Sequence, residues 1–551
     1  MKKNICVLLL CAATALPAAA QGWYDAYLFS QNHYGGTARS AAMGNALTAV
    51  GGDPGSVTLN PAASAVSTYS QAFITPGYSL STSYAIGTQA EIDGQKTIIG
   101  YGEGLNTTYG RLKLPNVGEI LVFDTGRRSG LKRWALGIVV NSTQDYTGRF
   151  NAGGVNPYNS YAASLASSAD GFAAEDLGQG TWDYVSDPAR CPSWVDMVGY
   201  RSYMINGVTG RPGTYMAVTE TMDQNGNFRL AAPIYQKYGR QNYGYKYDWA
   251  FNLSANISDW LYLGANIGLT SLKYQCNEYW YEAPETPADF PDIQFSDGTA
   301  YRFESLRMKR NYRAQGSGAF LKAGVIARPF AGLRLGAAIQ TPTLMTISER
   351  YGYSGEVSLS GRAPTSAQSP EDTWDYELIS PFRANFGIAY TFGSVAILSA
   401  DYELANYSRA RLGSVDDDYY SNNTSFGYAN QDIRELLGRS DAFRVGFELK
   451  PTPQLAIRAG YNYTTSGIKN DKAAQTLASF GFGYASTGSF YVDGALRFRF
   501  QPQEYLIPYY YYTQVEGREF YVKDVDYAVL TPEISVKSTV AELFVTLGWR
   551  F

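Results

Sequence analysis

Histidine is almost missing from this chain: His33 is the single one in 551 residues. That excludes metal centres built on clustered histidines and leaves Ser-His-Asp chemistry without its base. Of the four cysteines, Cys6 and Cys11 lie within the first twenty residues, leaving Cys191 and Cys276. Their spacing resembles no metal-ligand motif, and whether they pair is open. A basic excess is also missing. Lys and Arg number 45 against 49 Asp and Glu, so there is no electrostatic case for nucleic-acid binding. Finally, no run of 18 apolar residues follows the start of the chain, so no transmembrane helix is expected.

The opening "MKKNICVLLLCAATALPAAA" has a charged start, a short apolar run and a small-residue end, so residues 1–20 are read as a secretory signal. The remainder of the chain is rich in aromatics, with 46 Tyr, 26 Phe and 9 Trp, more than an ordinary soluble core requires and suited to interfacial girdles. Stretches with a two-residue period recur. In "STVAELFVTLGWRF" Leu543, Val545, Leu547, Trp549 and Phe551 alternate with Glu542, Phe544, Thr546, Gly548 and Arg550. In "FYVDGALRFRF" Phe490, Val492, Leu496 and Phe498 alternate with Tyr491, Asp493, Arg497 and Arg499. "LAIRAGYNYT", "AFRVGFELK", "VAILSADYELA" and "PFRANFGIAYTF" repeat the pattern, which marks strands with one apolar and one wet face.

Short turns at 125–130, 257–259, 328–332, 391–394, 450–454 and 485–489 alternate with long connections at roughly 85–116, 141–247, 270–317, 342–380, 406–441, 464–475 and 501–537. Six turns and seven loops separate fourteen strands. Strict alternation of short and long connections is the signature of a transmembrane barrel, and a soluble sandwich has no reason to show it. The expected fold is all-β: a 14-stranded antiparallel transmembrane β-barrel spanning 67–551, whose last strand pairs with its first. Residues 21–66 do not alternate and are small and Gly/Ala-rich. Thr37 to Val50 reads as a short helix ended by Gly51-Gly52, and Asn60, held extended by Pro61, can cap the residues after it. A segment of this kind ahead of a lumen too wide for side chains alone to fill reads as a hatch, or plug, containing short helices.

The run Gly36–Ala62, with Arg39, Ala41, Gly44, Ala46, Asp53, Val57 and Asn60-Pro61-Ala62, resembles the N-terminal hatch of the long-chain fatty-acid and hydrocarbon transporters of Gram-negative outer membranes (FadL/TodX type). "LRLGAAIQTP" (333–342) and "LSADYELANYS" (398–408) resemble barrel segments of that family. The resemblance implies passive uptake of a hydrophobic small molecule, captured at outer loops and released sideways through the wall. It implies a monomer surrounded by outer-membrane lipids, with no enzymatic activity, no cofactor and no metal. It also implies a wall gap at a kink in the third strand, near Trp134–Thr143, where the sequence carries no proline.

Arg39, Gly44, Asp53, Asn60, Pro61 and Ala62 are the hatch candidates. Arg444, Arg458 and Arg497 face the lumen by alternation and are candidates for a carboxylate head group, or else members of ion pairs with Glu448, Asp493, Asp401 and Glu403. Asp416-Asp417-Asp418 and "YLIPYYYYTQ" (505–514) lie in outer loops, as a solvated or weakly Ca²⁺-binding triplet and a capture surface or girdle. The rivals are an open porin, a hemin-type receptor and an outer-membrane enzyme. A receptor of that type needs a longer chain, and an enzyme needs a histidine or paired acids that are missing here.

Overall fold

The computed structural model describes residues 22–92, 94–182, 191–294, 298–415, 424–510 and 530–551. The signal segment, the Asp416–Asp418 triplet and residues 511–514 lie outside these. Among the described residues no helix is long and apolar enough to cross a membrane; strands do the spanning.

Fourteen of them form the wall: β1 (Gln71–Gly87), β2 (Leu105–Asp124), β3 (Leu131–Asp145), β4 (Ile234–Ile257), β5 (Leu261–Pro284), β6 (Ala300–Phe330), β7 (Leu333–Gln340), β8 (Arg383–Phe392), β9 (Ala396–Asn406), β10 (Arg439–Leu449), β11 (Leu455–Thr465), β12 (Ala474–Ala485), β13 (Phe490–Phe500) and β14 (Ile534–Arg550). Each pairs antiparallel with the next, and β1 pairs with β14 from Gln71↔Arg550 to Gly87↔Ile534. Closure leaves no free edge, as a bilayer demands of any spanning sheet. All six short turns fall where the alternation places them.

The period of two sorts the side chains as expected. Leu543, Trp549, Phe480, Phe482, Ile457, Phe447, Phe386, Leu321 and Ile267 are exposed on the outer wall, while Glu542, Phe544, Thr546, Arg497 and Glu448 are buried inside. Aromatic rings mark both margins of this apolar belt. Trp260, Phe330, Phe392, Trp549 and Phe551 lie at the short-turn end, and Tyr243, Tyr245 and Tyr247 at the other. Val545 is central on β14, whereas Leu547 is one outward position from Trp549. Val545→Arg is therefore expected to cost about 2–4 kcal/mol and Leu547→Arg less, measured as the urea midpoint of heat-modifiable migration on gels. Equal costs would contradict this depth assignment.

The connections expected at 270–317 and 342–380, and the ends of 141–247, are largely strand rather than loop. β4 and β5 have 24 residues each and β6 has 31, against about 9–11 needed to cross a bilayer. The excess forms a tall ribbon beyond the membrane, joined by Gly148–Asn156 and Leu344–Leu359. Within 157–233, helices Tyr161–Ala169, Ala174–Gly178 and Trp194–Arg201 and two small hairpins pack onto this ribbon as a cap. Glu282 of β5 accepts the Tyr161 and Ala162 amides, capping the first of these helices. Tyr509 joins the cap by donating to Asn159 (2.9 Å). Cys191 and Cys276 are both free thiols, Cys276 buried on β5.

Residues 22–67 thread the lumen. A helix, Trp23–Ser30, sits on the outer side among Tyr146, Tyr274, Tyr312, Tyr376 and Tyr407. Its C-terminal carbonyls are held by cations, Lys246 on Phe29 O (2.9 Å) and Arg383 on Ser30 O. The helix expected over Thr37–Val50 is only Ala38–Ala42, N-capped by Thr37. It ends at Gly44 and Asn45, whose φ values of +63° and +62° are left-handed, rather than at Gly51-Gly52. Two 3₁₀ turns follow, Pro54–Thr58 and Pro61–Val66.

Candidate functional site

The plug is seated by the inner wall at main-chain level. Glycines on neighbouring strands lie under it: Gly264 beneath Pro61, Gly324 beneath Asn60, Gly336 and Gly387 beneath Thr48-Ala49, Gly446 beneath Met43, Gly460 beneath Met43-Gly44. A Cβ at any of these would come closer than 3.0 Å to the plug. Several are ladder partners, Gly264↔Gly324, Gly336↔Gly387 and Gly446↔Gly460. Polar wall side chains then take the plug's carbonyls and amides. Ser479 donates to Ala42 O (2.9 Å), Ser399 to Ala46 O (2.6 Å), Asn266 to Val57 O (2.9 Å), Lys322 to Thr58 O (2.7 Å) and Asn252 to Pro61 O (2.9 Å). The Thr48 amide donates to Asp401 (2.7 Å).

The hatch candidates divide into wall contacts and internal ones. Asn60 Oδ1 accepts the Ala62 amide (3.0 Å), and its Nδ2 donates to Thr48 O (2.8 Å) and Val325 O (3.0 Å), tying two parts of the plug to β6. Arg39 reaches Glu448 of β10 (2.7 and 3.1 Å). Asp53 stays within the plug, accepting from Thr37 Oγ1 (2.9 Å) and the Gly55 amide (2.8 Å).

The three lumen arginines are not one cluster. Arg458 lies with Arg39, bonded to Glu448 (2.6 Å) and Asp493 (2.5 Å). Arg444 and Arg497 line a small cavity on the outer side of the plug, together with His33, Tyr34, Arg383, Glu403 and Arg499. Arg444 and Arg383 share Glu403 (2.5 and 3.0 Å), and Arg497 bonds Glu542 (2.7 Å). Arg444 Nε and Nη1 and Arg499 Nε are buried with no hydrogen-bond partner. Four guanidinium groups thus meet two carboxylates, leaving donors for an anion. The cavity's free volume is about 40 Å³, room for water and not for a lipid. Arg383 and Arg499 are on the wet faces of their strands, and the closure of the wall, which no local pattern encodes, brings β8 and β13 to one cavity.

Between β2 and β3 the wall is interrupted. Their ladder runs from Asp124↔Arg133 to Asn116↔Asn141 and stops. Pro115 follows on β2, where no amide is left to donate. On β3 the register with β4 skips Thr143, a bulge. The strand next rejoins its neighbour at Glu103↔Gly153, where the Glu103 amide donates to Gly153 O (2.9 Å). In the window between these points plug residues stand in for β2: the His33 amide donates to Thr143 O (2.6 Å) and the Gly35 amide to Ser142 O (2.7 Å). His33 Nδ1 also lies 2.6 Å from Gln144 Oε1. Side chains bridge the rest, with Lys113 and Arg111 at 3.5 and 3.9 Å from Asp145, Arg111 on Thr147 (2.6 Å), and Tyr247 on Leu114 O (3.1 Å). Leu112 and Leu114 face outward beside the window. Below it an apolar concavity of about 820 Å³ indents the outer wall, lined by Leu121, Leu136, Ile138, Phe251, Leu253 and Ile267 among others.

No protein-family model and no curated protein matches the sequence. Among solved structures, the chain is similar to a Pseudomonas aeruginosa FadL homologue, at 14% identity and TM-score 0.51, over 95% of this chain and 99% of that one. The Pseudomonas putida toluene transporter TodX is 12% identical at TM-score 0.47, over 95% and 99%. The closed 14-stranded wall and its threaded N-terminal plug give this chain the fold of that FadL homologue.

Proposed function

We propose that the protein sits in a Gram-negative outer membrane and admits hydrophobic compounds, long-chain fatty acids or comparable lipids and hydrocarbons, releasing them sideways between β2 and β3. The observation that carries this reading is the window above Asn116↔Asn141, closed by plug residues His33–Gly36 instead of a strand. A wall whose hydrogen-bond ladder is unbroken needs no such substitution. An apolar ligand leaving there meets Leu112, Leu114 and the external groove, and each methylene kept from water is worth about 0.8 kcal/mol. With no room in the lumen at rest, passage requires residues 32–36 to move, which breaks few contacts compared with unseating the glycine-bedded remainder.

Arg444 and Arg497 are the residues we assign to a ligand carboxylate, and Arg458 to the plug's anchor. In detergent, Arg444→Ala with Arg497→Ala is expected to weaken oleate binding about tenfold or more, consistent with charge-assisted pairs of about 1.5–3 kcal/mol. Undiminished affinity would remove the arginines from the site. The exit is tested by deleting Thr143, which removes the bulge. Uptake of labelled fatty acid by cells should fall at least tenfold while the barrel still folds, and unchanged uptake would refute a lateral route. Steady, large ion currents from the wild-type protein would favour a porin instead.

A further inference from the structure

Seven cations stand on the outward face of the ribbon above the tyrosine girdle: Arg149 of Gly148–Asn156, Lys237 of β4, Lys273 of β5, Arg307, Lys309 and Arg313 of β6, and Arg350 of Leu344–Leu359, opposite Arg313. The register places them side by side. Lys237 is opposite Tyr281, which is opposite Arg307; Gly239 is opposite Tyr279, which is opposite Lys309; Arg149 is opposite Gln241. Residues two apart on a strand are about 7 Å apart, and next-but-one strands about 10 Å, so the charges fall within one headgroup's reach. The face is concave, with a recess of about 630 Å³ over Gly239. Tyrosine rings hold the cations in place: Lys237 Nζ is 5.3 Å from Tyr235 and 5.9 Å from Tyr281, and Arg307 is 5.8 Å from Tyr281.

Arg302 and Arg310, also on β6, have carboxylate partners in Asp292 and Glu278; the seven have none among the described residues. The carboxylates nearby are Glu278, which lines the recess and is bonded to Arg310 and Tyr238, Glu103, held by Tyr235, and Glu356, across the ladder from Arg307. A chain with more acidic than basic residues overall thus gathers unpaired cations on one lateral face.

We propose that this face binds the phosphorylated saccharide headgroup of an outer-leaflet glycolipid. It begins at Tyr243 and Tyr245, where the apolar belt ends, and it looks sideways along the membrane rather than into the mouth. The anions that dwell there are the headgroups of neighbouring lipids. Guanidinium and ammonium groups recognise phosphate, and tyrosine faces stack on sugar rings. The inference rests on the membrane placement alone and stands whether or not the lumen carries a ligand.

The test uses the full-length protein in neutral detergent, with rough-type lipopolysaccharide as the probe, beside its enzymatically dephosphorylated form and phosphatidylglycerol. The wild type is expected to retain lipopolysaccharide through gel filtration, with retention falling as salt rises. Dephosphorylation, or Arg307→Glu with Lys309→Glu, should weaken it at least tenfold. A control pair in other connections, Arg434→Glu in the helix Thr424–Leu436 between β9 and β10 with Lys472→Glu between β11 and β12, should leave it unchanged. Heat-modifiable migration reports folding, and Arg307→Gln with Lys309→Gln replaces the reversal pair if that fails. No retention by the wild type, equal retention by the double variant or of the dephosphorylated lipid, or equal competition by phosphatidylglycerol overturns the proposal.

Discussion

Gly460→Val is expected to turn a silent barrel into a conducting one. The new Cβ and its methyl groups would occupy the space of the Met43 and Gly44 main chain. A flexible side chain in that place would yield, and overpacking would cost about 1–3 kcal/mol. Backbone pinned by Ser479 on one side and Ser399 on the other does not yield so cheaply. The lower-energy response is for this part of the plug to leave its seat. In planar bilayers the wild type should pass almost no current and the variant should show discrete steps, with the wall's own urea midpoint little changed. Silence from the variant would mean that the plug can shift within the lumen without opening it, and that the glycines are not what seats it.

Glu448→Ala should be the most destabilising single loss of a charge. Glu448 is fully buried and shared by Arg39 of the plug and Arg458 of β11. Removing it leaves Arg39 without a bonded carboxylate inside the protein, and removing one partner of a buried ion pair typically costs about 3–5 kcal/mol. Arg39→Ala should cost less, because Glu448 keeps Arg458, and Arg458 keeps Asp493 at 2.5 Å. The two variants are compared by urea midpoint of the folded band on unheated gels. If Arg39→Ala proved the more damaging, the plug and not the wall network would be the larger source of stability here.

The barrel was legible because a bilayer leaves few ways to satisfy a backbone. Within the belt every strand has grease outside and polarity inside, so Leu543 to Trp549 or Phe480 and Phe482 could be sorted by parity alone. Beyond the belt both faces of the ribbon meet water or the cap, the alternation fades, and the upper halves of β4, β5 and β6 read as loops. The cap within 157–233 mixes short helices and hairpins whose core is assembled with Trp280, Phe303 and Tyr509 from distant strands, so no local period announces it. The window was illegible for another reason. It is defined by where β2 and β3 stop pairing, and the Thr143 bulge exists only relative to the register of β4. Pro115 was a visible signal, on the neighbouring strand rather than the third. In the plug, Asn60 could be read as a cap, but its second amide contact, on β6, needed the wall.

The glycine bed has a consequence for biogenesis. Its contacts are spread over strands from β5 to β11, so residues 36–62 entering a finished cylinder would have to meet all of these seats at once. Lodging the N-terminal portion while the sheet is still open, before the β1–β14 seam zips, lets them form strand by strand. Assembly would then be templated by its own first-made segment, with sealing as the committing step.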